Sequence, residues 1–238
     1  MSWQPKDLRN VALVGHRGVG KTMLNEAMLH QAGEIKQLGS VDDGTATADY
    51  EEQERERQIS ISPALCHFEH QSGKVNLIDC PGYSEFYVDA LYGLWAVENA
   101  LLTLNAVAGV EVHTIKMHEA AREMGVRLIG VVNKLDVERA DFAGAVASMN
   151  ESLPDCEAVA VQLPVGEGPA FEGVIDLLSE TAWMGSGDEG EIPAEMADEV
   201  EEARESLIDA VAATDDDLKK RKAVQDKKFL ELAKKLPK

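Results

Sequence analysis

The chain has 238 residues, 45% of them apolar, which is enough for one sizeable core with an appendage. No apolar run approaches the roughly 20 residues that cross a bilayer, and residues 1–10 carry no apolar signal core, so a cytoplasmic protein with no membrane partner is expected. A formal net charge of −20 argues against a free-standing nucleic-acid binder, so no DNA partner is expected, and the three widely spaced cysteines (Cys66, Cys80, Cys156) fit neither a disulfide framework nor a zinc site.

In chain order, residues 8–14 read as a buried strand ending at a glycine-rich turn, and Lys21–Gln31 as a helix. Residues 39–62 are polar and charged and read mostly as loop. Residues 64–70 and 74–78 read as a hairpin around Gln71-Ser72-Gly73. Helices are expected over 85–98, 112–124 and 139–152, and strands over 100–107, 128–132 and 157–163. This alternation implies an α/β fold: a mostly parallel sheet with helices on both faces. Beyond residue 163 the composition shifts to Gly and Pro, then to charge, with helices expected over 193–213 and 215–235. Residues 188–217 hold thirteen acids against one Arg, and residues 219–238 hold nine Lys/Arg against two acids. The chain therefore divides into a domain of residues 1–163 and a partial, helical subdomain of 164–238, whose basic tail reads as a solvated helix or as an electrostatic contact with RNA or with the chain's own acidic helix. Phe86 and Trp95 are expected to pack a helix on the sheet. His113 and His118 share a helix without metal-ligand spacing.

Gly15-His16-Arg17-Gly18-Val19-Gly20-Lys21-Thr22 matches the phosphate-loop pattern and lies between an expected strand and an expected helix. Its glycines let backbone N–H groups wrap phosphates, the helix N-terminus adds positive potential, Lys21 reaches the β- and γ-phosphates, and Thr22 can ligate Mg²⁺. The fold is thus that of a P-loop NTPase. A structural, hydrogen-bonded role is expected for the His16 side chain. Asp79-Cys80-Pro81-Gly82 closes a second apolar strand, where Asp79 can hold Mg²⁺ through water and the Gly82 N–H can sense the γ-phosphate. Asn133-Lys134-Leu135-Asp136 follows a third. The Asp136 carboxylate can accept from guanine N1–H and the exocyclic amine, a donor pair adenine lacks, and a carboxylate left unpaired by the wrong base discriminates by several kcal/mol. Asn133 would brace the pocket and the Lys134 stem would cover the base. GTP and GDP are the expected ligands.

With these motifs in order, the chain resembles the translational GTPases, specifically the G domain of bacterial elongation factor G and its elongation factor G-like paralogues. Residues 39–64 look like that family's first switch, 79–86 its second, and 162–178 the start of its inserted subdomain. The resemblance implies a monomeric GTPase with a ribosome-linked role, Ser60 and Thr22 as Mg²⁺ ligands with Asp79, and Lys21, Gly82 and Tyr83 in catalysis. Three positions depart from the pattern. Arg57-Gln58-Ile59-Ser60 stands where Arg-Gly-Ile-Thr is usual, and Ser60 keeps the hydroxyl. Tyr83 replaces the water-positioning His; a phenol, with a reference pKa near 10, is a poor base at neutral pH but can orient water. Arg17 replaces an aliphatic residue, and is either a cis arginine over the γ-phosphate or a solvated side chain. The family's Ser-Ala-type fifth motif has no match after Asp136, so the chain reads as a fragment. Slow intrinsic hydrolysis is expected; the alternative is a nucleotide-binding switch with little or none.

Overall fold

The computed structural model describes residues 3–71, 73–185 and 187–214. It divides into two compact units, one comprising residues 1–134 and 143–156, the other residues 135–142 and 157–238.

The first unit is built on a five-stranded sheet in the order β2-β3-β1-β4-β5. Its strands are β1 (Leu8–Gly15), β2 (Ala64–His70), β3 (Gly73–Asp79), β4 (Asn99–Asn105) and β5 (Arg127–Asn133). β2 and β3 form the antiparallel hairpin, and every other pairing is parallel. In β1 the consecutive residues Ala12, Leu13 and Val14 are all 0% exposed. Consecutive burial means that both faces of this central strand are covered, as a parallel sheet requires.

Helix α1 (Lys21–Gln31) packs on β1, β2 and β3, while α3 (Tyr87–Trp95) and α4 (Val112–Met124) pack together and against β1, with α4 also on β4 and β5. α4 starts in a reciprocal cap between Glu111 and Thr114 and stops at Gly125 in the left-handed conformation. α5 (Phe142–Ser152) turns Met149 toward Gly130 of β5, whose missing side chain leaves room for the thioether. Within the segment expected as loop, α2 (Glu52–Arg57) forms a short helix held by a Glu51–Glu54 capping box.

The second unit departs from the expectation of a helical subdomain. It holds a four-stranded antiparallel sheet, β6 (Gln162–Val165), β7 (Gly173–Asp176), β8 (Thr181–Met184) and β9 (Glu189–Gly190), together with α6 (Ala197–Ala213). The strand expected over 157–163 begins instead at Gln162 and pairs with β7 rather than joining the parallel sheet. Four-residue strands alternate inward residues such as Leu163, Val165 and Ile175, and these meet Val200 and Leu207 of α6 in one core. Such short alternating runs between Gly- and Pro-rich turns carry little periodicity of their own. The helix and basic tail expected over 215–235 lie outside the described residues.

Candidate functional site

The phosphate-loop residues, Gly15 to Thr22, lie in the first unit where β1 runs into α1. Gly15 takes a φ of 140°, and a Cβ there would collide with the Thr103 carbonyl of β4, so only glycine fits. Gly18 and Gly20 are left-handed, with φ of 70° and 94°, and Val19 is buried between them. Lys21 is buried, and its ammonium donates to the Gly15 carbonyl at 3.2 Å and the His16 carbonyl at 2.9 Å. Burial pushes its pKa down, and the neighbouring Asp79 works against that. Among the described residues its hydrogen bonds go only to neutral carbonyls of its own loop, which leaves the ammonium set to receive an anion.

Asp79 ends β3 in register with Leu13 of β1, and the next residue, Cys80, donates its N–H to the Leu13 carbonyl at 3.1 Å. Asp79 is 1% exposed. Burial raises its carboxyl to about 6, against the pull of the Thr22 hydroxyl and the Lys21 ammonium. Neither carboxylate oxygen completes a hydrogen bond among the described residues. Gly82 then lies flat on the phosphate loop. A Cβ there would strike the Lys21 ammonium and stand 2.8 Å from both the Arg17 nitrogen and the His16 carbonyl oxygen.

The segment 39–62 closes over this corner. The Ser60 and Thr22 hydroxyls are 3.1 Å apart, and Ser60 donates to Asp49 Oδ1 at 2.9 Å. Asp49 is buried, and desolvation raises its carboxyl while the Ser60 hydrogen bond opposes the rise. Two further buried carboxylates hold the segment by its backbone. Glu26 of α1 accepts from the Gly39 and Thr47 N–H groups at 3.1 and 2.6 Å, and Glu54 accepts from those of Ile61 and Ser62 at 2.8 and 3.0 Å. Asp49, Glu26 and Glu54 are invisible to a sequence reading that takes 39–62 for a polar loop. Only the Glu51/Glu54 spacing, that of a capping box, hints at one of them.

Magnesium fits this corner. Thr22 and Ser60 turn their hydroxyls to one another, Asp79 offers two buried oxygens without partners, and oxygen donors suit a hard cation. Among the described residues no group of three or more His, Cys, Asp or Glu would hold a metal by itself. That is consistent with an ion whose shell is completed by phosphate and water.

Asn133 ends β5 and donates its side-chain amide to the Val19 carbonyl at 2.9 Å, tying the third motif to the phosphate loop. Lys134 has a φ of 63°, and its Cε would lie 4.0 Å from a Cβ placed on Gly20. Within the first unit the structure brings the expected site residues from Gly15 to Lys134 to this corner; Asp136 belongs to the other compact unit.

Around this corner, His16 Nε2 lies 3.4 Å from Glu111, and its ring meets that of His113 edge-on at 6.4 Å. His113 is fully buried and held near a pKa of 4 by desolvation, so it is neutral at pH 7. The Arg17 guanidinium lies over the Tyr83 ring, 5.1 Å from its centroid. Trp95, expected to pack on the sheet, is 65% exposed and stacks edge-on with Tyr92, because α3 turns Ala90, Gly93 and Leu94 inward instead. No described helix is long and apolar enough to cross a membrane.

Residues 6–232 match the family described as the elongation factor Tu GTP binding domain. The chain is similar to elongation factor G of Fervidobacterium nodosum, at 37% identity over 217 residues, which is 89% of this chain and 31% of that protein. It also matches a protein of known crystal structure from Thermus thermophilus, with a TM-score of 0.84 and 31% identity over 90% of this chain and 33% of the other. The chain thus spans about a third of the length of these relatives.

Proposed function

From the premise that the chain belongs to the elongation factor Tu GTP-binding-domain family, we propose that it binds GTP and GDP with Mg²⁺ and hydrolyses GTP slowly, as the G-domain part of an elongation factor G-like translation factor. One observation carries this reading. Lys21 and Thr22 of the phosphate loop, Ser60 of the first switch-like segment and Asp79 of the second motif meet at one corner, with the Thr22 and Ser60 hydroxyls 3.1 Å apart and the Asp79 oxygens unpartnered among the described residues. When bound, Mg²⁺ would neutralise charge on the β- and γ-phosphate oxygens. Thr22 and Ser60 would hold it directly, and Asp79 and Asp49 through its waters. Lys21 and the N–H groups of residues 15–22 would cradle the phosphates, and the Gly82 N–H would meet the terminal one. Asn133 braces the loop through Val19, the Lys134 stem would cover the base and Asp136 would read guanine.

Phosphoryl transfer is mainly positioning and charge stabilisation. With Tyr83 able to orient a water but poorly suited to take its proton, turnover by the chain alone is slow. A ribosome-linked role, in the cytoplasm and as a monomer, follows the resemblance to elongation factor G. The division into a GTPase domain of residues 1–163 and a partial inserted subdomain of 164–238 belongs to the same proposal. Titration with GTP, GDP and ATP, then single-turnover hydrolysis with and without ribosomes, tests it. Tight guanine-selective binding with slow, ribosome-accelerated hydrolysis is expected, and equal affinity for ATP and GTP would overturn it.

A further inference from the structure

Arg17 and Tyr83 are two of the three places where the sequence departs from the family pattern, and the structure puts these two in contact. The Arg17 guanidinium carbon lies 5.1 Å from the Tyr83 ring centroid. Arg17 is exposed and makes no ion pair among the described residues, in a chain whose formal net charge is −20. The cation has passed over a surplus of carboxylates and rests on a ring face.

The backbone fixes where that stack sits. Gly82, the residue before Tyr83, lies so close to the phosphate loop that a Cβ would stand 2.8 Å from the Arg17 nitrogen. The stack therefore continues a contact the two main chains already make. It grips the first side chain beyond Gly82, whose N–H would meet the terminal phosphate in the GTPase reading above. Tyr83 is half-buried, and without the guanidinium its ring has one face fewer to lean on.

We infer that Arg17 is a positioning residue for hydrolysis: its side chain holds the Tyr83 ring on the phosphate loop, so that the phenol is presented at the terminal phosphate to orient the attacking water. This inference rests on the GTPase reading above. Arginine suits the task because its planar cation stacks on aromatic faces and stays charged. It acts through Tyr83, not on the phosphate. An exposed cation–ring contact is worth a factor of about two to five, and that factor falls on the hydrolysis step, leaving nucleotide affinity unchanged.

The test is a double-mutant cycle read by single-turnover GTP hydrolysis, with fluorescent GTP and GDP dissociation constants measured in parallel. Arg17→Ala is expected to slow hydrolysis about two- to five-fold without changing either dissociation constant, and Arg17→Lys, which keeps a cation, to recover part of the rate. In a Tyr83→Phe background, which keeps the ring but lacks the hydroxyl, Arg17→Ala is expected to have no further effect. Equal slowing by Arg17→Ala with Tyr or Phe at position 83 would show that Arg17 acts directly on the phosphate and overturn this inference alone. An unchanged rate in the Arg17→Ala chain would also overturn it. A wild-type chain that binds GTP but does not turn it over would sink the hydrolysis reading together with this inference.

Discussion

Asp79→Asn separates what this residue costs the fold from what it gives the ligand. Its carboxyl is 1% exposed, without a hydrogen-bond partner among the described residues, and raised by burial to about 6. A group whose folded pKa lies above its unfolded value stabilises the fold only while protonated. Stability is therefore lost as pH rises from about 4 to 6 and stays low above that. With the carboxyl raised from 3.8 to about 6, ionisation at pH 8 costs the fold roughly 2–3 kcal/mol when no cation is bound. The neutral amide escapes that cost. In EDTA at pH 8 the variant should melt about 5–10 °C above wild type, with the difference vanishing near pH 4. With Mg²⁺ and GDP in excess the order should reverse, because the carboxylate then has its cation and wild type gains by ligand binding what the amide cannot. Melting curves followed by circular dichroism between pH 4 and 8, with and without Mg·GDP, read both halves. A variant no more stable than wild type in EDTA at pH 8 would refute the reasoning.

Asp136→Asn should lose guanine preference and gain affinity for xanthine nucleotides, as measured by competition against fluorescent GDP. Gly82→Ala places a methyl group against the Lys21 ammonium and the Arg17 nitrogen, so GTP affinity should fall at least ten-fold, a loss of about 1.4 kcal/mol or more, while GDP affinity falls less; isothermal titration checks this. Glu26→Ala removes the acceptor of the Gly39 and Thr47 N–H groups and, by leaving buried donors unpaired, should destabilise the chain by about 1–3 kcal/mol. Limited proteolysis should then cut within residues 40–62 faster than in wild type.

The parallel sheet is legible in the sequence because three of its strands are apolar runs stopped by motifs with their own chemistry. β1 ends in the phosphate loop, β3 at Asp79 and β5 at Asn133, and each end sits where the spacing implies. The corner where Lys21, Thr22, Ser60 and Asp79 meet is legible for the same reason. Asp49, Glu26 and Glu54 are not. Nothing local marks a glutamate as buried, and their partners are backbone N–H groups as far as 21 residues away. The antiparallel sheet of the second unit escapes the sequence because strands of two to four residues between glycines and prolines look like loop. Trp95 is misplaced by composition, since its size suggests a core role and only the turn of α3 settles which side it takes.

Glu26 also sets how far the segment covering the phosphate corner can travel. Because that carboxylate holds Gly39 and Thr47 together, residues 40–46 form a closed eyelet moored to α1. The travelling leash begins only after Thr47 and runs to the first residue of β2, Ala64. Extra residues spliced into the eyelet would lengthen a loop that is already tied off and leave the leash unchanged. The same residues added between Asp49 and Ser60 would slacken the line that brings the serine hydroxyl home.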